Sequence, residues 1–185
     1  MLLAMQSAAE VLGFWFSDRV RERWWVKDPA FDEEIRERFA GLHRRALAGD
    51  LESWAASPEG ALALVIVLDQ FPRNMFRGSA EAFSSDAAAR AVTDAALAAG
   101  HHHALTSDDR RLFLYLPLEH SEKLADQDRC CALTKELAAA QWYEFASKHR
   151  EIVARFGRFP HRNEALGRES TAEERVFLTE PGSSF

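Results

Sequence analysis

The sequence predicts an all-α fold, on three observations. Helix-capping signatures recur along the chain, apolar residues return at three- and four-residue spacing, and alternating Val/Ile/Thr runs of strand type are absent. The run "LVIVLD" is the one stretch with strand-like composition, and it lies inside a helical context. Loops are short and no linker stands out, so residues 1–185 are expected to form one domain. Five to eight helices in successive pairs suit an array of antiparallel helix hairpins.

The elements follow in order. Asp28-Pro29 places an N-cap before a proline at the first helical position, and Phe31, Ile35, Phe39 and Leu42 then fall on one stripe, with Gly49 as the stop. A short turn with Leu51 and Trp54 precedes Ser57-Pro58, the same signature again. From there to Gln70 the sequence is apolar almost all round, which marks a central, buried helix. Ser85 or Asp86 caps a helix reaching Ala99, with Gly100 as its C′ residue. Ser107 caps another that carries Leu112, Phe113, Leu116 and, beyond Pro117, His120 and Leu124. Residues 127–147 form the next helix, continued or followed separately by 149–156. Thr171 and Glu174 make a capping box that opens a last short helix to Leu178.

Composition bounds the function. A length of 185 residues, with 47% hydrophobic and 28% charged residues, is globular rather than disordered. A net charge of −6 argues against broad nucleic-acid binding. The charge is uneven: residues 148–168 carry six Lys/Arg against two Glu, a local +4 that leaves −10 elsewhere. The start, "MLLAMQSAAEVLGFWF", lacks a basic n-region and interrupts its apolar run with Gln6, Ser7 and Glu10, so no leader is expected. The longest apolar run, 61–68, is too short to span a bilayer, and the protein is expected to be cytoplasmic, with no membrane partner. Cys130 and Cys131 are adjacent and imply no disulfide framework. In the opening segment, Arg19, Arg21 and Arg23 are expected to cover Trp15, Trp24 and Trp25 by packing.

Two words stand out as chemistry. In "LDQFPRNMFRG", Asp69 follows Leu62, Val65 and Ile66 at helical spacing, so a carboxylate falls on a buried face at a helix end whose dipole disfavours it. Arg73 and Arg77 lie within two turns, and Pro72 is expected to force the chain out of the helix before them. Either an Asp–Arg clamp fixes the turn, or Arg73, Asn74 and Arg77 face an anionic ligand with Asp69 orienting one of them and Gln70 as a further ligand-binding candidate. In "YLPLEHSEKL", His120 shares a stripe with Phe113, Leu116 and Leu124, flanked by Glu119 and Glu122. That is either a hydrogen-bonded core histidine or an acid–base group near neutral pH.

A relative of the first word, "FGRFPHRN", returns at 156–163 and carries Arg158, His161, Arg162 and Asn163. Metal-binding spacings such as HExxH are missing, and His101, His102 and His103, after Gly100 at a helix end, read as a solvated loop in a favourable dipole position. No G-x-S-x-G elbow accompanies Ser121, and no Gly-rich phosphate loop occurs. Neither a metal nor a cofactor is expected.

"VLGFWF", "RWWVKDPAFDEEIRERF", "LALVIVLDQFPRNMFRG", "FLYLPLEHSE" and "RFGRFPHRNEALGRESTAEE" resemble, in unbroken order, the bacterial family catalogued as domain of unknown function 924. The resemblance implies a fold similar to tetratricopeptide-type α-α superhelices and leaves the activity open. Its signature words here are 69–74, 117–122 and 157–163.

The expectation is that these words converge on one polar pocket. Arg73, Arg77, Arg158 and Arg162 would supply cations, Asn74 and Asn163 neutral hydrogen bonds, and Glu119, His120 and His161 titratable groups. Such a set suits a small anionic molecule, a carboxylate or phosphate, or an acidic peptide end. Two other readings stand beside it: an acid–base enzyme using His120 with Glu119, or buried polar words that serve folding alone. The oligomeric state is not inferable from the sequence.

Overall fold

The computed structural model describes residues 6–184. Residues 1–5, on which the leader expectation partly bears, lie outside them. The described residues are helical and include no strand. By its internal packing the chain divides into two compact units, residues 1–77 with 81–117, and 78–80 with 118–185.

In the first unit, α1 (Ala8–Trp15) opens on a capping box in which Ser7 accepts from Glu10 N–H and Glu10 returns the bond. The short α2 (Asp18–Arg21) leads to α3 (Pro29–Leu47), where Asp28 accepts from the N–H groups of Ala30 and Phe31 as its residue type predicts. The predicted turn at Leu51–Trp54 is a 3-10 helix, Glu52–Ala56, and Ser57 caps α4 (Pro58–Val65) through Gly60 N–H. Gly60 is required there, since a Cβ on it would stand 2.1 Å from the Trp54 carbonyl oxygen.

The expectation for Pro72 is corrected. The helix does not stop before it but widens into a π turn at Ile66–Gln70 and continues as α5 (Phe71–Met75). Phe71 N–H bonds Ile66 O, five residues back. The extra residue in the turn eases the Pro72 ring past the Leu68 carbonyl, which an ordinary helix would bring against it. Ser85 Oγ donates to that carbonyl at 2.6 Å, and His43 Nε2 stands 3.1 Å from the same hydroxyl. Because the hydroxyl proton goes to Leu68, His43 is the donor in the second bond. This also explains why Ser85 caps nothing at the start of α6 (Asp86–Ala98).

Gly100, at φ +72°, ends α6 and leads into the single-turn α7 (His101–Ala104). Within this unit α4 is buried on nearly every side, as its all-round apolar sequence predicts. Phe14, Trp15, Phe31, Phe39, Phe71 and Phe113 form a contiguous aromatic core, with Phe39 and Phe71 stacked at 4.5 Å. Arginine stems do cover rings: Arg21 lies 5.0 Å from Trp24, and Arg38 4.3 Å from Phe14. Gly13, inside α1, meets nothing where a Cβ would stand. Gly13→Ala is therefore expected to stabilise the protein by about 0.4–1 kcal/mol, read as a raised denaturation midpoint; a lowered midpoint would refute it.

The helix α8 (Asp108–Glu119) runs through the boundary in sequence, with Pro117 inside it, and ends before His120 rather than carrying the stripe to Leu124. In the second unit, α9 (Leu124–Thr134) and α10 (Ala140–Phe156) pack together as a hairpin. The expected single helix over 127–147 is thus broken at 135–139, and 149–156 continues α10. Thr134 Oγ1 bonds back to Cys130 O, and Leu137 N–H closes a tight turn onto Thr134 O, so the break needs no Gly or Pro. Gly157, at φ +69°, ends α10. A 3-10 turn over Pro160–Arg162 follows, and the Thr171–Glu174 capping box opens α11 (Ala172–Phe177) as expected. None of the described helices is long and apolar enough to cross a membrane.

Candidate functional site

The first word resolves into two carboxylate clamps within the first unit. Asp69 has no exposed surface, and its carboxylate accepts from Gln70 Nε2 at 2.5 Å and stands 3.2 Å from Arg73 Nη1. Arg73 also donates to the Asp69 carbonyl at 2.8 Å and to both oxygens of Asp86 at 2.9 and 3.2 Å. Burial opposes the Arg73 charge, but Asp69 and Asp86 overcome it and hold its pKa above the ordinary arginine value. Arg77 grips Asp32 through Nε and Nη2 at 2.8 and 2.9 Å, and Asn74 Nδ2 adds a third bond at 2.8 Å. Burial opposes the Asp32 charge too, yet these donors hold its pKa below the usual range. Arg73, Asn74 and Arg77 therefore face carboxylates of the chain itself. Sequence reasoning missed Asp32 and Asp86 as their partners.

In the second unit the other two words do meet. Glu122 accepts from Phe159 N–H at 2.8 Å and pairs bidentately with Arg168 at 2.7 and 2.9 Å. Arg168 reaches on to Asn163 Oδ1 and Phe159 O. Asn163 Nδ2 donates to Ser170 and Glu174, and Glu174 holds Arg158 bidentately at 2.7 and 2.8 Å. Glu122, Arg158 and Asn163 are thus members of a frame that pins the segment 157–171, together with Arg168 and Glu174.

The frame should show in acid. The Arg158 hydrogen bonds, helped by Thr171 N–H and Asn163, outweigh burial and hold Glu174 at about 2, against an ordinary value of 4.5. Arg168 and the Phe159 N–H likewise outweigh burial at Glu122 and depress it. A depressed folded-state pKa contributes stability above the ordinary value and loses it as pH falls toward the folded one. Wild type is therefore expected to lose stability between pH 4.5 and pH 2, with a shallower loss in Glu174→Gln. Equal slopes of denaturation midpoint against pH in the two proteins would remove Glu174 from that role.

Inside the frame lies a denser cluster. Phe159 is fully buried. The Arg162 guanidinium carbon is 4.5 Å from its ring centroid, the His161 ring 5.6 Å, and the His149 ring 5.7 Å edge-on. His149 is buried on α10. Its Nδ1 lies 2.8 Å from Phe145 O and 3.5 Å from the Glu119 carboxylate, and its ring centre is 6.5 Å from that of half-buried His120. Burial, reinforced by His120, Arg162 and His161 against the Phe145 bond, lowers the His149 pKa to about 3.

Gln127, fully buried on α9, donates through Nε2 to the carbonyls of Glu119 and Ser121 at 2.6 and 2.7 Å and fixes the turn that carries His120. Cys130 Sγ lies 3.8 Å from Glu119, and burial with that carboxylate raises its pKa well above the ordinary thiol value. Glu119, His120, His161 and Arg162 thus come together, and His149 is the member sequence reasoning missed. Its spacing from Phe145 and Ile152, on an otherwise apolar stripe, was the available signal.

The described residues contain no group of three or more His, Cys, Asp or Glu able to hold a metal ion. His101, His102 and His103 stand on the helix α7 rather than in a loop, and the His102 and His103 rings lie 3.8 Å apart, tilted at 40°.

Residues 11–182 match a family described as "Bacterial protein of unknown function (DUF924)". The chain is also similar to a solved structure of a protein of unknown function from Agrobacterium tumefaciens. The two are 44% identical, with a TM-score of 0.88, over 93% of this chain and 96% of that one. No curated protein matches.

Proposed function

We propose that this chain, which belongs to the bacterial DUF924 family, binds a small anionic molecule, a carboxylate or phosphate, at the cluster around Phe159. One observation carries the reading: imidazoles of His149 and His161 and the Arg162 guanidinium surround one buried ring, with His120 beside them. The Arg162 guanidinium and the imidazoles of His120 and His161 bring groups able to donate into a partly desolvated setting, which is what an oxyanion needs, and His149 buttresses them. Glu122, Arg168, Asn163, Glu174 and Arg158 supply the rigidity that holds them in place. Asp69, Gln70, Arg73, Asn74 and Arg77 serve as a clamp that fixes the fold, since carboxylates of the chain take up their donors.

A second reading is an acid–base enzyme built on Glu119 and the neighbouring imidazoles. It draws on the 3.5 Å approach of the Glu119 carboxylate to His149. The tetratricopeptide-like course of the helix hairpins and the cytoplasmic location belong to the same proposal. The α9–α10 hairpin supports the former, and the run of apolar residues too short to span a bilayer agrees with the latter.

The test is a thermal-shift titration of wild type, His120→Ala and His161→Ala with inorganic phosphate at low salt, with circular dichroism confirming the fold of each. A ligand at about 100 times its Kd stabilises by about 2.7 kcal/mol, a readily measured rise in Tm. The expected result is a rise in wild type that is lost in both variants. Equal shifts in all three proteins, or none in wild type, would overturn the proposal.

A further inference from the structure

The first unit carries an open cavity of ≈ 650 Å³, a volume within the range of small-molecule sites. Part of its wall is apolar: Leu12 and Gly13 of α1 and Trp54 of the 3-10 helix line it. Gly13 leaves room there, since nothing stands within 4 Å of where its Cβ would be. Two charged side chains, Glu59 of α4 and Arg110 of α8, line the same cavity and pair with each other.

That pair has capacity to spare. Arg110 Nη1 donates to Glu59 Oε2, and among the described residues the guanidinium makes no other hydrogen bond, so its remaining N–H groups are free to donate. The guanidinium carbon lies 4.8 Å from the Phe16 ring centroid, which steadies the cation at the cavity. Glu59 is half exposed, and its Oε1 accepts no hydrogen bond among the described residues.

An ion pair beside an apolar wall makes a specific demand on a ligand. An anion drawn to Arg110 meets Glu59, and a cation drawn to Glu59 meets Arg110. A neutral apolar molecule covers the wall but takes water from both charged groups and returns nothing. A zwitterion answers both. Because Arg110 and Glu59 are in contact, the ligand charges must also be close together, as the ammonium and carboxylate of an α-amino acid are on one carbon. The two ends of an extended peptide stand too far apart.

We propose that this cavity binds a free α-amino acid with a large apolar side chain. Its carboxylate takes the unused donors of Arg110, its ammonium takes Glu59, and its side chain lies against Leu12 and Trp54 in the space left by Gly13. The cavity is separate from the anion site, whose residues belong to the other unit.

The test is calorimetric titration of the full chain with L-phenylalanine and three analogues. 3-Phenylpropionate lacks the ammonium, 2-phenylethylamine lacks the carboxylate, and glycine lacks the apolar body. L-phenylalanine should bind, and each analogue should bind at least about tenfold more weakly, the ratio that loss of one charged hydrogen bond or of a buried apolar side chain produces. Gly13→Leu fills the cavity from its wall; it should fold, lose L-phenylalanine binding and keep the phosphate response of wild type. Arg110→Met removes the partner of the carboxylate and should bind L-phenylalanine and 2-phenylethylamine alike.

Any analogue that binds wild type as tightly as L-phenylalanine would overturn the assignment of the ligand. Absence of L-phenylalanine binding, or undiminished binding in Gly13→Leu, would overturn the site itself, and the phosphate titration shows separately whether the anion site stands. Should Gly13→Leu fail to fold, the wild-type ligand series and Arg110→Met decide the matter.

Discussion

Replacing Arg73 by alanine is expected to destabilise the protein by about 3–5 kcal/mol, the usual cost of leaving one partner of a buried ion pair uncompensated. Asp69 has no exposed surface, and Asp86 is mostly covered in its pair with Arg73. Without Arg73 both carboxylates lose its guanidinium, while the Gln70 bond to Asp69 stays. Arg73→Lys should recover part of the loss, since one ammonium cannot reproduce the bidentate grip on Asp86 while also reaching Asp69. Chemical denaturation would measure both variants. An Arg73→Ala protein within 1 kcal/mol of wild type (a threshold set by ordinary surface substitutions) would mean that the clamp is not what holds this helix. Phosphate binding by any folded fraction should survive, because the proposed site lies in the other unit.

The second large effect is expected at Gln127. Gln127→Leu keeps the volume of the side chain but removes the donor that satisfies the Glu119 and Ser121 carbonyls. Each buried carbonyl left without a donor costs about 1–3 kcal/mol. Gln127→Glu is expected to be at least as harmful, because a carboxylate offers no N–H to either oxygen. His120 sits between these two carbonyls in sequence, so the loss of stability should come with a loss of phosphate binding at temperatures where the variant remains folded. Unchanged stability in Gln127→Leu would show that the turn around His120 is held by other contacts.

Local signals were legible in the sequence and long-range ones were not. Asp28, Ser57 and Thr171 could be read as caps because a cap is decided within four residues. The break at 135–139 was hidden, since a threonine back-bond and a tight turn replace the usual Gly or Pro. Pro72 read as a terminator because a proline's effect on its own helix is local, while the Ser85 hydroxyl that receives the displaced Leu68 carbonyl comes from 17 residues away.

The site divides in the same way. That Asp69 needs a cation, and that Arg73 one turn on supplies it, follows from helical spacing and burial. Asp32 lies in the first turn of α3, where the helix dipole favours any carboxylate, and only the fold brings Arg77 to it across 45 residues. Glu174 was recognised for its capping box, yet the same carboxylate also binds Arg158 and Asn163. Nothing local announces a side chain with two such duties.

The π turn at Ile66–Gln70 has a consequence for rotational phase. An α-helix advances about 100° per residue, so one surplus residue in the turn rotates everything after it by about that angle relative to an unbroken helix. Asn74 and Arg77 face Asp32 only because that rotation has been made. Deleting a single residue, Val67 for example, would return the segment to regular α-helical geometry and improve its backbone hydrogen bonding. It would also swing both donors about a quarter-turn away from their carboxylate and drive the Pro72 ring back against a main-chain oxygen. The more regular helix would belong to the less stable protein.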